Sequence, residues 1–236
     1  MLIDRSQTLG SLVLEHPTST RVLERLGLDY CCGGRQTLAE ACAGQGLDAA
    51  TVAVFLERDV EPIAAESADW AAAPLTELCT HIIEAHHGRL RWELPRLGTL
   101  AERAADAHGE AQPALRGIRD ELARLREELE QHIGEEERDL FPALGRGQTL
   151  APGELERLRV EHETTGARLH RLRELADNYD SAMALCNVHR ALLQGLHGLE
   201  LDLHQHVHEE NNILFPRALA PGHAWLFGGK MHRDTV

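Results

Sequence analysis

The chain is poor in aromatic residues, with three Trp, two Tyr and four Phe among 236 residues. Leu, Ala, Glu and Arg dominate instead, which favours helices. Positive charge is also short: 24 Lys and Arg face 38 Asp and Glu, for a formal charge of −14. Such a balance argues against a nucleic-acid partner, since no basic face could offset it easily, and it is compatible with holding cations. Cysteine is limited to five residues (31, 32, 42, 79 and 186), an odd number without framework spacing. A secreted disulfide scaffold is therefore not expected. No apolar run approaches membrane length, and Met1-Leu2-Ile3-Asp4-Arg5-Ser6-Gln7 lacks a basic-then-apolar signal pattern. The expectation is a reducing, cytoplasmic setting without a membrane partner.

Histidine, by contrast, is abundant, at fifteen residues. One stretch containing it is written twice. Gln131-His132-Ile133-Gly134-Glu135-Glu136 leads to Phe141-Pro142, and Gln205-His206-Val207-His208-Glu209-Glu210 leads to Phe215-Pro216. In both copies Glu follows His by four residues, and Phe-Pro begins five residues after that Glu. On a helix, positions i and i+4 share a face, so each copy aims an imidazole and a carboxylate at one place.

Around these copies the spacing predicts an all-α protein. Residues 1–65 read as a small helical unit with helices over 9–14, 17–26, 38–43 and 47–58. Thr37-Leu38-Ala39-Glu40 has capping-box form, and paired glycines tighten the loop Asp29-Tyr30-Cys31-Cys32-Gly33-Gly34. So small a unit has a thin core and should lean on the rest of the chain. Residues 57–74 read as a linker. Four long amphipathic segments follow at 74–106, 114–144, 152–179 and 181–219, the first with a kink or break expected at Pro95. The fourth places Met183, Leu185, Leu203 and Val207 on its apolar stripe, and Cys42, Cys79 and Cys186 read as helix-face core residues. Short polar breaks make neighbouring segments antiparallel, giving an up-down four-helix bundle over residues 66–219. Residues 220–236 read as a loose tail.

The bundle divides into similar halves, which identifies further ligand candidates. His162 stands at the start of the third helix with Leu169, Leu172 and Leu175 at +7, +10 and +13. Of His81, His86 and His87 on the first helix, only His87 has leucines at those offsets (Leu94, Leu97 and Leu100). His204 and His208 form a competing pair but lack the matched Phe-Pro distance, which puts them on flanking faces. The inward set is then His87, His132, Glu136, His162, His206 and Glu210. Single surface His–Glu pairs contribute a few tenths of a kcal/mol and are ordinary. Two matched copies with partners at nearly equal intervals, 45 and 44 residues, point instead to a metal, because such a cluster is costly to bury without one. Imidazole and carboxylate together suit iron, manganese or zinc, and six protein ligands are too many for one tetrahedral zinc. Two bridging Glu with two His per metal make a dinuclear site with positions left for a bridging oxygen and an exogenous ligand. The Glu-x-x-His spacing of ferritin-like bundles is absent.

His87, His132-x-x-x-Glu136, His162 and His206-x-x-x-Glu210 together resemble the hemerythrin-like HHE domain. The Asp29–Gly34 loop with Gln36-Thr37-Leu38 resembles the short N-terminal domain of the repair-of-iron-centres family. The combined resemblance spans residues 5–219. His-x-x-x-Glu stands where oxygen-carrying hemerythrins end in His-x-x-x-x-Asp, which favours the repair family. The resemblance implies a non-haem, oxo-bridged di-iron protein that restores iron–sulfur clusters damaged by nitric oxide or peroxide by supplying iron. Its implied partners are damaged or apo iron–sulfur proteins, with nitric oxide or oxygen as small ligands. A di-iron nitric oxide reductase and an oxygen- or nitric oxide-sensing module are the competing readings, and monomer and homodimer are both open.

Two secondary features carry expectations of their own. Cys31-Cys32 reads as a redox handle, a metal or cluster ligand, a nitric oxide target, or a partly buried pair of small residues. Glu161 and Glu128 read as lining an access path or holding iron in transit, against the plainer reading of solvated helix faces. Tyr30 reads as packing.

Overall fold

The computed structural model describes residues 3–59 and 70–219. Most of the expected linker and the whole 220–236 tail lie outside the described residues. Among those described there is no β-strand, only the isolated bridges Thr8–Thr37 and Leu150–Leu219. The protein is all-α. It divides into two compact units, one drawing on residues up to Leu78, 148–155 and Val207 onward, the other on Cys79–Gly147 and Glu156–His206.

The first unit holds α1 (Leu9–Glu15), α2 (Thr20–Arg25), α3 (Leu38–Gly44) and α4 (Ala49–Asp59). Three of the boundaries have a clear local cause. Thr8 accepts from Ser11 N–H to cap α1, and Thr37 and Glu40 form the expected capping box on α3. Gly27, at φ 65°, ends α2. The helix expected from Pro17 opens instead as a 3-10 turn, Pro17–Ser19, before α2 begins. Leu9, Leu12, Leu23, Leu38 and Leu56 are fully buried in a core that also takes Val207. Val207 was expected in the bundle stripe. It lies one residue, about 100°, around the helix from His206, and its spacing from Leu203 suits either core. Asn211 and Asn212 add hydrogen bonds to the carbonyls of Cys31 (3.3 Å) and Tyr30 (3.2 Å). The thin N-terminal core is thus completed by residues nearly two hundred positions downstream.

After the short α5 (Leu75–His81), the second unit is built on α6 (Gly88–His108), α7 (Ala114–Glu135) with the short α8 (Phe141–Gly145) beyond it, α9 (Pro152–Leu175) and α10 (Asn187–His208). Leu90, Leu97, Ile118, Leu125, Leu172, Leu196 and Leu203 pack in one core drawn from all four helices. Ion pairs tie neighbours at the edge: Arg168 on α9 joins Glu121 (2.6 Å) and Glu128 on α7, and Arg173 joins buried Glu200 on α10 (2.8 Å). Of the kink or break expected at Pro95, the break is absent, since helix α6 continues through it. The fourth helix starts later than its apolar spacing predicts. Asp177, Asn178 and Tyr179 all take positive φ, a second 3-10 turn follows at Ser181–Met183, and Met183 and Leu185 are exposed. Cys186 precedes α10 and is half-buried, whereas Cys42 and Cys79 are buried as expected.

Candidate metal centre

Among the described residues three stretches are π-helical: Ile82–His87, Glu136–Leu140 and Glu209–Leu214. At their ends the amides of Gly88, Phe141 and Phe215 donate to the carbonyls of Ile83, Glu136 and Glu210, five residues back instead of four. Proline supplies a reason for two of them. Pro142 and Pro216 have no N–H to continue the i→i−4 ladder, so the preceding turn can widen without losing a bond that was available. Short π-bulges of this kind concentrate at functional sites. Here they carry His87, Glu136 and Glu210.

Within the second unit five of the six sequence-predicted residues converge: His87, His132, Glu136, His162 and His206. His87 Nε2 lies 3.3 Å from His206 Nε2, and His132 Nε2 lies 3.2 Å from His162 Nε2. Between the two pairs stands the Glu136 carboxylate, with Oε2 3.5 Å from His87 Nε2 and Oε1 3.4 Å from His132 Nε2. Donors about 2.1 Å from an ion and at right angles to each other stand about 3.0 Å apart, close to what is seen. Glu136 is 1% exposed, and neither of its oxygens has a hydrogen-bond partner among the described residues. A carboxylate placed so, between two imidazole pairs and without a donor, is costly unless cations take the place of the missing protons. The donor set therefore fits bound cations, with Glu136 common to both imidazole pairs. Glu210 follows His206 by one helical turn and is fully buried.

The far side of two imidazoles is also fixed. His87 Nδ1 faces Glu137 Oε1 at 2.8 Å, and His132 Nδ1 faces Glu161 Oε2 at 2.9 Å. With Nδ1–H donating to a carboxylate, each ring turns its Nε2 lone pair to the centre. Arginines hold both carboxylates in turn: Arg91 donates to Glu137 (2.7 Å) and Arg157 to Glu161. Partial burial pushes Glu137 upward, but Arg91 and His87 outweigh it and hold the carboxyl below its usual range. For Glu161 the bond from His132 leads, ahead of the opposing effect of burial, and the carboxyl is again lowered. Sequence reasoning missed Glu137. Its only signal was adjacency to Glu136, and on a regular helix a neighbour points elsewhere. Glu161 and Glu128 line a cavity of about 240 Å³ beside His132, together with Glu135 and Thr165.

The remaining candidates take other places. His86 is buried beside its neighbour but turns Nδ1 to Asp202 (3.2 Å) and stacks on His206. His204 lies 3.9 Å from Glu200. His208 belongs to the first unit, where it meets Asn212 (3.0 Å) and the edge of Tyr30; burial pushes it down to about 4. Tyr30 is a packing residue, with its hydroxyl donating to Glu24 (3.0 Å). Cys31 is buried and Cys32 half-buried, and neither is in a disulfide.

Residues 79–218 match the family model described as the hemerythrin HHE cation binding domain. The chain belongs to the hemerythrin HHE family. Four histidines and Glu136 in the geometry above are thus part of an HHE cation-binding domain. Residues 5–59 match a second family model, ScdA_N, described as a domain of unknown function. The iron-sulfur cluster repair protein YtfE of Yersinia pseudotuberculosis serotype IB (strain PB1/+) is 39% identical over 217 residues, which is 91% of this chain and 97% of its own. YtfE of Yersinia pestis (strain Pestoides F) is similar to the same extent. Among the described residues, no helix is long and apolar enough to cross a membrane.

Proposed function

We propose that this HHE protein repairs iron–sulfur clusters, holding a non-haem di-iron centre from which iron is supplied. One ion would take His87 and His206, the other His132 and His162, with Glu136 and Glu210 bridging. The observation that carries this reading is the buried Glu136 carboxylate, each oxygen facing a different imidazole pair. Bound there, two irons would supply one-electron redox chemistry and a releasable stock of metal. The chain's own residues set the rest. Glu137 and Glu161 keep the ligating lone pairs turned inward, and the acidic cavity beside His132 offers a cation a path lined by carboxylates. Nearly end-to-end similarity to proteins named for cluster repair supports the same reading.

The test is transfer of isotopically labelled iron from the loaded protein to an apo-ferredoxin-type acceptor under reducing, anaerobic conditions. Labelled cluster on the acceptor is the expected result, and loss of transfer with Glu136→Ala should follow loss of bound iron. Two irons retained through repeated turnover of nitric oxide to nitrous oxide, with none passed on, would overturn supply in favour of a reductase. Protein expressed with ample iron yet carrying none would remove the centre altogether.

A further inference from the structure

The loop that carries Cys31 and Cys32 belongs to the first unit, where it gathers three donors of its own. Asp29 Oδ1 accepts from the backbone N–H of Cys31 (3.0 Å) and of Cys32 (2.9 Å), folding the chain over the carboxylate. The Cys31 thiol donates to the same oxygen at 3.2 Å. The two sulfurs are 3.9 Å apart, and the donor atoms of Asp29, Cys31 and Cys32 all lie within 4.8 Å of one another. A disulfide is not the natural state of this pair. Adjacent Cα atoms stand about 3.8 Å apart, short of the roughly 4.4 Å at which an unstrained bridge begins. The two sulfurs therefore stay as thiols. Two sulfurs bound about 2.3 Å from a tetrahedral ion are separated by about 3.8 Å, nearly the spacing already present.

The loop is also held in this shape. Asn211 and Asn212 donate to the Cys31 carbonyl (3.3 and 3.4 Å). Gly33 and Gly34 pass so close to backbone that a Cβ would meet Asp29 O at 2.6 Å and Tyr30 O at 2.5 Å. Cys31 is buried, whereas Asp29 is exposed and Cys32 half-buried, so an ion has an approach from solvent. The hydrogen bond to Cys32 and burial both push the Cys31 thiol well up, so it holds its proton until a cation displaces it.

We propose that Asp29, Cys31 and Cys32 form a second metal site, for one Zn²⁺ ion held by two thiolates and a carboxylate. The fourth position is left for water or an incoming sulfur ligand. The carboxylate oxygen favours Zn²⁺ over Cu⁺, which prefers sulfur throughout. Binding releases one proton from each thiol and needs no oxidant.

The test uses the full-length, iron-loaded protein, reduced and anaerobic, titrated with Cd²⁺ as a spectroscopic stand-in for Zn²⁺. The expected result is a thiolate-to-cadmium charge-transfer band in the ultraviolet that saturates at one ion per chain and is removed by Zn²⁺. Cys31→Ser/Cys32→Ser should abolish the band. Asp29→Asn should weaken binding about tenfold or more, as expected when one charged ligand is lost. A variant with Ser at 42, 79 and 186 should behave as the parent. No band in the parent, or a band that survives in the double variant, overturns the site, and an unchanged affinity in Asp29→Asn removes the carboxylate from it. The iron spectrum of the same sample reports the HHE centre separately, since histidine and glutamate give no thiolate band. Should the double variant fail to fold, Zn²⁺ protection of Cys31 and Cys32 from alkylation in the parent, read by peptide mass, decides the matter: protection supports the site and its absence overturns it.

Discussion

At the scale of single residues, the centre is a problem of orientation as much as of ligand supply. An imidazole can present either nitrogen, and the carboxylates on Nδ1 of His87 and His132 remove that choice. Glu137→Gln and Glu161→Gln keep the shape of each partner while removing its charge. Each should weaken iron retention by about 10- to 100-fold, the usual cost of losing such a partner. Competition with a calibrated chelator measures this, and unchanged retention would mean that packing alone sets the rings. Of the residues read from the chain, His87, His132, Glu136, His162 and His206 lie together in the fold: His and Glu at i and i+4 mark a helix face in any context, and the leucine offsets single out His87 and His162. Glu137 could not be read in this way, since its position depends on a π-turn that widens the helix beside it. Gly34 belongs to the same scale. A methyl there would meet Tyr30 O and Asn212 Oδ1 at 2.5 and 2.6 Å, so Gly34→Ala should lower the melting temperature and free the Asn212 side chain.

At the scale of elements, the repeated Phe-Pro takes on a physical meaning. In the sequence it marks the same distance from the Glu in both copies of the motif. In the folded chain it stands where the widened turn hands back to an ordinary helix, with Phe141 and Phe215 amides reaching five residues back. Restoring an N–H at that point should let the α-ladder compete. Pro142→Ala is expected to keep the helix content, read by circular dichroism, while lowering iron retention as Glu136 rotates away from its two imidazole pairs. Equal retention would show that packing on both flanks holds the wide turn without help from proline. The fourth helix starts at Asn187, later than its apolar spacing predicts, for a related reason. Met183 and Leu185 continue the apolar period, but three successive positive φ angles at 177–179 spend those residues on turning the chain. Periodicity reports which face is apolar and is silent on where a turn interrupts it.

For the whole molecule, the all-α class and the four-helix bundle were legible because leucines recur at helical spacing through 90–203. Cutting that core should cost what packed interiors usually cost: Leu196→Ala should destabilise the second unit by about 2–5 kcal/mol in denaturant unfolding. Less legible was the composition of the first unit. Val207 fits an apolar stripe with Leu203, and nothing local says that it fills a core with Leu9 and Leu38 instead. Residues 3–59 expressed alone should therefore fold poorly, with weak amide dispersion by NMR, and adding a peptide spanning 207–219 should improve it. Good dispersion without the peptide would show that the N-terminal helices suffice.

The hydrogen bond from Asn212 to Tyr30 joins residues 182 positions apart. At about 5–20 residues per second, a ribosome needs roughly 10–40 s to make the stretch between them. The first helices to emerge must therefore wait, incomplete, through most of translation. A nascent chain in that condition is a natural client for a holding chaperone, and slowing synthesis near its end would lengthen the exposure without changing a single contact in the finished protein.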